Sequence, residues 1–165
     1  MVDKGERSLT IVIEKAENID AESLVEIYHD AYSENEKLGL PASASKVKID
    51  EVQDWLQNTI ILKVKENTTN NIVATVRLKY SKDWQCYVLS RLAVKSTHKG
   101  KGLATKLMEY TESMLSKKDE TKIRLTVTQT HPYLPKMYEG KGYRIVGERI
   151  LNNLPYDEYI MEKLI

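Results

Sequence analysis

The run from Val88 to Leu115 constrains the fold more than any other part of this sequence, because it has the pattern of a strand, a glycine turn and a helix. The strand, Val88 to Val94, is mainly apolar, and the turn after it contains Gly100 and Gly102. Small or apolar side chains then recur at helical spacing. The face they form consists of Ala104, Leu107, Met108, Thr111 and Leu115. Such a helix predicts a crossover between two parallel strands of one sheet.

The glycine turn is also the strongest candidate for a binding site. Glycines let a backbone approach a ligand closely, and the first N–H groups of a helix have no partner within it. Together with the helix dipole, these groups favour phosphate oxygens. Between Trp84 and Met108 there is no Asp or Glu, whereas Arg91, Lys95, Lys99, Lys101 and Lys106 all occur there. We therefore predict an anionic ligand at this turn, and specifically a phosphate.

Two common phosphate-binding motifs do not fit this turn. A P-loop needs a glycine, four residues and then Gly-Lys-Ser/Thr, and the sequence contains no such run. A dinucleotide-binding fingerprint would have a third glycine where Thr105 stands, and an acidic residue after the next strand. That strand ends Val127-Thr128-Gln129, without a carboxylate. The phosphate ligand therefore belongs to another class.

Several segments of the chain resemble the Gcn5-related N-acetyltransferase (GNAT) superfamily. Its pyrophosphate loop has the pattern Gln/Arg-x-x-Gly-x-Gly/Ala, and Lys99–Ala104 matches this frame with Lys99 in the first position. The preceding Arg91–Val94 looks like the family's fourth strand, and Met137–Tyr143 is similar to its later helix-to-strand signature. The order of the segments is that of the family. The resemblance covers the chain from about Thr59 to the C-terminus and implies a single GNAT-type domain over residues 1–165.

The resemblance implies an α/β fold with a mixed, mostly antiparallel sheet, one parallel splayed pair of strands, and about four flanking helices. Asp20 is predicted to cap the first helix, and Asp50 the second, with Gln53 completing a capping box. Leu24, Ile27, Tyr28 and Ala31 form the apolar stripe of the first helix. Strands are predicted at Leu9–Glu14, Ile60–Lys65, Ile72–Tyr80, Gln85–Val94, Lys122–Thr128, Tyr143–Ile150 and Tyr159–Leu164, and a short helix at Pro132–Glu139.

Acetyl-CoA is the cosubstrate that the resemblance implies, with its acetyl group transferred to a primary amine. The pyrophosphate would contact the N–H groups from Gly100 to Thr105. The backbone from Leu92 to Val94 would pair with the pantetheine amides and face the thioester oxygen, while the side chains of Leu92 and Val94 pack in the core. The implied CoA-binding residues are Leu92, Ala93, Val94, Lys99, Gly100, Lys101, Gly102, Leu103, Ala104, Thr105 and His131.

Tyr138 is the predicted catalytic residue, because a phenol can protonate the CoA thiolate as it leaves. Its alternative is a packing role, since the chain has ten tyrosines and no phenylalanine. His131 stands where the family often has an asparagine that touches CoA, and an ordinary loop histidine is the alternative there. The general base is not assigned; the candidates are His29, Glu26 and Asp83, or a carboxylate acting through water.

Composition limits the partners. A chain of 165 residues with 41% apolar residues suits one core, and a net charge of +1 gives no general attraction to nucleic acid. The sequence predicts no membrane span and no metal site, and its single cysteine, Cys86, suits the cytoplasm. The expected acceptor is a small-molecule or peptide amine, bound between residues 28–54 and the last hairpin. A homodimer is left open.

Two other classes of protein also fit the sequence. One is a non-catalytic acyl-CoA-binding sensor on the same fold, which would tolerate the loss of Tyr138. The other is a nucleotide-binding α/β domain of flavodoxin-like type, which would bind nucleotides without a pantetheine arm as well as it binds CoA.

Overall fold

The computed structural model of the protein describes residues 10–40 and 43–165. Within these ranges the strands form one seven-stranded sheet in the order β1-β2-β3-β4-β5-β7-β6. Leu9, the predicted start of the first strand, lies outside the described residues. The strands are β1 Ile11–Lys15, β2 Ile60–Glu66, β3 Ile72–Ser81, β4 Cys86–Val94, β5 Lys122–Thr128, β6 Arg144–Arg149 and β7 Glu158–Leu164.

Four α-helices flank the sheet within the described residues: α1 Ala21–Lys37, α2 Ile49–Asn58, α3 Leu103–Lys117 and α4 Leu134–Gly140. None of them combines the length and apolar character needed to cross a bilayer. Short 3₁₀ turns precede α1, α2 and α3. The predicted mixed α/β class, with about four flanking helices, is confirmed.

The parallel strands β4 and β5 form a hydrogen-bonded ladder over only a short part of their length. Tyr87 to Leu89 pair with Ile123 to Leu125, and the ladder ends there, whereas the other neighbours in the sheet are antiparallel. The predicted crossover through α3 and the predicted splayed pair are therefore confirmed.

A β-bulge accompanies the separation of β4 from β5. Ala93 pairs with Thr75 but Ser90 pairs with Arg77, so β4 holds an extra residue at this point. Arg91, inside the bulge, has a positive φ of 51°. Because a bulge bends its strand, the second half of β4 turns away from β5, and a gap opens between the two strands.

The sheet has a core on each face, as alternation along a strand requires. In β2, Ile61 packs with the cluster formed by α1 and α2, whereas Leu62 packs with the cluster that includes α3. The predicted stripes of α1 and α3 face these cores, with one correction. Leu103 is buried and the predicted Ala104 is only half-buried, because the helix begins at Leu103 and turns that side chain inward.

The predicted helix caps are not formed by side chains. Asp20 occupies the N-cap position of α1 without a capping bond, since its carboxylate accepts from the Lys63 ammonium and the Glu17 N–H, each at 2.8 Å. The second helix begins at Ile49 with Lys48 as N-cap. Asp50 therefore lies inside the first turn, where its negative charge interacts favourably with the helix dipole. The predicted capping box of Asp50 and Gln53 is wrong.

Candidate active site

A cavity of about 800 Å³ lies where β4 and β5 separate. Its walls come from β4, the glycine turn, β5 and α4, with α1 on one side and the β6–β7 connection on the other. Of the residues that the sequence analysis proposed, Lys101 is not part of the wall. The others line the cavity: Leu92, Ala93, Val94, Lys99, Gly100, Gly102, Leu103, Ala104, Thr105, His131 and Tyr138.

The glycine turn has the geometry of an anion site. Gly100 and Gly102 have φ values of 78° and 77°, which other residues adopt at a cost. Gly102 is the N-cap of α3, and glycine has no side chain with which to cap the helix. The first intrahelical bond runs from the Lys106 N–H to the Gly102 carbonyl at 3.0 Å. The three preceding N–H groups of α3 are therefore left for a ligand, at the positive end of the helix dipole.

Carboxylates of α1 meet the loop before α3, which the local sequence did not indicate. The Lys99 ammonium lies 2.8 Å from Glu34 Oε2, and Asp30 accepts bonds from the Ser96 N–H and hydroxyl. The hydrogen bond to Lys99 lowers the pKa of Glu34, and the same bond raises the pKa of Lys99. An anion that binds Lys99 must therefore compete with Glu34.

The open edge of β4 faces the gap. The Lys95 N–H donates to the Val73 carbonyl at 2.8 Å, so alternation directs the peptide groups of Val94 to the opposite side, away from β3. On the α1 side, the Tyr32 hydroxyl donates to the Leu92 carbonyl at 2.8 Å. The side chains of Leu92 and Val94 pack against the core, as predicted. Backbone donors of β4 are thus available without disturbing the packing.

Tyr138 is held in place at the wall formed by α4. Its side chain is 7% exposed, and its ring meets that of Tyr143 edge-on with a centroid distance of 5.9 Å. Burial raises the pKa of Tyr138 to about 12. The phenol therefore stays protonated at neutral pH, as a proton donor must be, although the same burial makes it a weaker acid than a free phenol.

His131 has a structural task in addition to lining the cavity. Its Nδ1 accepts from the N–H groups of Leu134 at 3.3 Å and Tyr133 at 3.4 Å, and burial lowers its pKa, which favours the neutral ring. The histidine thereby anchors the first turn of α4, the helix that carries Tyr138. The helix begins at Leu134 rather than at the predicted Pro132.

None of the three candidate bases lines this cavity. His29 Nε2 donates to the Val47 carbonyl at 2.7 Å, Glu26 lines a separate cavity of about 200 Å³, and Asp83 lies in the turn between β3 and β4. Among residues 10–40 and 43–165, the carboxylates that do line the main cavity are Glu34 and Glu158. Each is held in an ion pair, Glu34 with Lys99 and Glu158 with Arg149 at 3.2 Å.

The expected acceptor wall divides into two groups. Tyr32 and Glu34 line the cavity, as does Arg91 from the β4 bulge. Tyr28 instead packs against Trp55 with a ring distance of 5.7 Å. Glu36 accepts from the Ser45 hydroxyl at 2.8 Å. From the other side, the β6–β7 hairpin contributes the last residue of β6, the first residue of β7 and four residues of their connection: Arg149, Glu158, Leu151, Asn153, Leu154 and Tyr156.

A splayed strand with open backbone donors, a helix start with free N–H groups and a buried phenol all border one cavity. The family model for the acetyltransferase (GNAT) domain matches residues 24–154, and the chain belongs to this family. The predicted family is therefore confirmed, and the chain is an acetyltransferase.

Several known proteins are similar to this chain. The S-(2-succino)cysteine N-acetyltransferase of Bacillus subtilis (strain 168) is 28% identical over 151 residues, covering 88% of this chain and 91% of the relative. The PaiA N-acetyltransferase of Thermoplasma acidophilum, solved with coenzyme A, superposes with a TM-score of 0.77 at 18% identity, covering 94% of this chain and 99% of that one. The ribosomal-protein-S18-alanine N-acetyltransferase of Escherichia coli superposes with a TM-score of 0.73 at 18% identity, covering 94% of each chain. These two structures support the fold alone.

Proposed function

We propose that this chain is an N-acetyltransferase that moves the acetyl group of acetyl-CoA to a primary amine by direct attack. The observation that carries the proposal is the gap between β4 and β5, which leads from the glycine turn past the β4 edge to Tyr138. Acetyl-CoA is the cosubstrate. Residues 1–165 form a single domain in this proposal, and the lone, free Cys86 suits a cytoplasmic reaction.

Each part of the cavity has a task in this proposal. The N–H groups from Gly100 to Thr105 hold the pyrophosphate, and the β4 edge at Leu92 to Val94 pairs with the pantetheine amides. A backbone N–H of this edge stabilises the negative charge that develops on the thioester oxygen. Family membership and the coenzyme A in the similar PaiA structure support this placement.

Proton transfers complete the reaction. The neutral amine attacks the thioester carbon, a C–N bond forms, and the C–S bond breaks as the oxyanion collapses. Tyr138 gives its phenolic proton to the departing thiolate, the amine loses its proton to water, and the Tyr138 phenolate regains a proton from solvent. The paired state of Glu34 and Glu158 supports water, rather than a carboxylate, as the immediate proton acceptor.

The proposal is tested first with ligands and then with acceptors. Thermal shift should show stabilisation by acetyl-CoA and CoA but not by NAD or ATP. Release of free thiol is then measured with acetyl-CoA and a panel of amines that includes S-(2-succino)cysteine. Equal stabilisation by NAD or ATP would favour the nucleotide-binding class, and tight CoA binding without turnover on any amine would favour the sensor.

Replacing Lys99 and Lys101 together by alanine should raise the Kd for CoA and flatten its dependence on salt, because two cations near the phosphates are lost. Titration calorimetry at several salt concentrations measures both effects. The control removes Lys117 and Lys118 at the other end of α3, which changes the net charge equally. Equal salt dependence in the two double variants would mean that the lysines at the turn act only through the overall charge.

Glu34→Gln provides a test of opposite sign. This substitution removes the carboxylate that competes for the Lys99 ammonium, so the Kd for CoA should fall. A higher Kd in the same calorimetric assay would show that Glu34 orients Lys99 for the phosphate rather than competing with it.

A further inference from the structure

Two arginines meet beside the acceptor end of the cavity. The guanidinium of Arg77 lies 4.6 Å from the centre of the Trp55 ring, and that of Arg91 lies 5.4 Å from it. Arg77 Nε donates to the Ser90 hydroxyl at 3.1 Å, and Arg91 Nη2 donates to the Ser43 hydroxyl at 3.0 Å. Stacking and neutral hydroxyls hold both cations in place, but they supply no negative charge.

Neither arginine forms an ion pair with a carboxylate in residues 10–40 and 43–165. The Nε–H of Arg91 is buried and lacks a partner among these residues. Burial lowers the pKa of Arg77, and the nearby charge of Arg91 lowers it further. Two like charges at a partly buried site repel each other, so an anion bound there would relieve the repulsion.

The other cations of the cavity wall are already neutralised. Lys99 pairs with Glu34, Arg149 pairs with Glu158, and His98 contacts Glu66. Among the described residues that line the cavity, Arg91 is therefore the permanently charged cation without a carboxylate partner. A negatively charged group of the acceptor would be attracted to this point of the wall.

The position of Arg91 in the chain relates this charge to the chemistry. Arg91 directly precedes Leu92 in the β4 bulge, and Leu92 begins the edge that holds the thioester in the proposed function. The Arg91 side chain therefore lines the cavity from the residue next to the proposed thioester edge, and an anion bound to it lies on the acceptor side of that edge. An α-amino acid carries its carboxylate and its amine within a few bonds of each other, so one such molecule can contact Arg91 and present its nitrogen to the thioester.

We propose that Arg91, supported by Arg77 and Trp55, binds the carboxylate of the acceptor, and that the acceptor is an α-amino acid. This inference rests on the proposed function. Charge-assisted hydrogen bonds from a guanidinium to a carboxylate are strong and directional, so this contact both selects an anionic amine and orients its nitrogen toward the thioester. Polycationic amines are disfavoured by the same charge.

The experiment compares L-α-amino acids with their α-carboxamides, which keep the amine and lose the negative charge. Binding is measured by calorimetry to the protein saturated with CoA, which has no acetyl group to transfer, so turnover is not needed. Arg91→Gln should weaken the binding of the preferred amino acid about tenfold, and the carboxamide should bind both proteins equally weakly. Arg144→Gln, an exposed arginine on β6 outside the cavity wall, controls for the loss of one charge.

Each result separates the subsite from the enzyme activity. The proposal is overturned if carboxamides bind wild type as tightly as the acids, if no amino acid binds the CoA complex, or if Arg91→Gln and Arg144→Gln weaken binding equally. Unchanged CoA affinity in Arg91→Gln verifies that the variant is folded, and Arg91→Lys, with its charge kept, should recover part of the loss. Carboxylate binding at Arg91 without thiol release on any amine would instead reject the transferase and retain the subsite.

Discussion

Replacing Tyr138 by phenylalanine is expected to lower kcat for acetyl transfer by about 100-fold, the usual scale for loss of a general acid. The substitution removes one oxygen and retains the ring, so the contact with Tyr143 and the core around α4 should persist. The affinity for CoA should therefore change little. Thiol release under saturating acetyl-CoA and acceptor measures the rate, and calorimetry measures the affinity.

Tyr143→Phe is the matched control for this prediction. Tyr143 is also buried and its ring contacts that of Tyr138, but it does not line the cavity. Its loss of one hydroxyl should leave kcat nearly unchanged. If kcat of Tyr138→Phe stays within about twofold of wild type, the effect is far below that expected for loss of a general acid. Tyr138 would then have only a packing role, and water would protonate the thiolate.

The raised pKa of Tyr138 gives the same hypothesis a pH signature. A pKa of about 12 means that the phenol keeps its proton throughout the neutral and mildly alkaline range. The rate in wild type should therefore show no decline attributable to Tyr138 between neutral pH and about pH 10. A decline with a midpoint near 10, present in wild type and absent in Tyr138→Phe, would contradict the burial of the Tyr138 phenol.

The strands, the crossover and the cavity wall were accessible to sequence reasoning because they depend on local patterns. The strands predicted from periodicity agree with β2 and β3 at their first residues and end one residue earlier than the observed strands. The two glycines before Leu103 defined the turn, since a positive φ and a helix start leave a local sequence signal. The resemblance to the GNAT family then related that turn to the segment around Tyr138.

Contacts between distant residues were not accessible in this way. Lys99 and Glu34 are 65 positions apart and Tyr32 and Leu92 are 60 apart, and no periodicity pairs such residues. The same limit explains the wrong caps. Asp20 has the residue type of a cap, but Lys63, 43 positions away, takes its carboxylate instead. The basic stretch before α3 contains no acidic residue of its own, so its sequence predicts no counter-charge. In the fold, α1 supplies the carboxylates that contact the end of this stretch.

The acceptor end was the least predictable part of the site for a related reason. Arg77, Arg91 and Trp55 come from two strands and a helix, and the bulge that turns Arg91 toward the cavity has no clear pattern in the sequence. Bulges depend on the pairing of both strands rather than on one residue type. The proximity of Arg77 and Arg91 depends on the register of β3 and β4, which no single segment of the sequence specifies.

Gly102→Val is expected to weaken the binding of CoA at least tenfold, about 1.4 kcal/mol. Gly102 is the N-cap of α3 with a φ of 77°, and a Cβ built there meets nothing of the protein within 4 Å. The added side chain would therefore extend into open space at the helix start, where the pyrophosphate is proposed to lie. A β-branched residue also disfavours a positive φ, so part of the effect could come from a displaced turn.

Gly39→Val distinguishes these two causes. Gly39 follows α1 with a φ of 73° and equally open space around its Cβ position, so valine introduces the same backbone strain at a site outside the cavity wall. Both variants should lose similar stability in thermal unfolding, on the order of 1–2 kcal/mol. Only Gly102→Val should raise the Kd for CoA in calorimetry. Equal Kd values in wild type and Gly102→Val would show that the pyrophosphate does not bind at this turn, because a bound phosphate would collide with a branched side chain there.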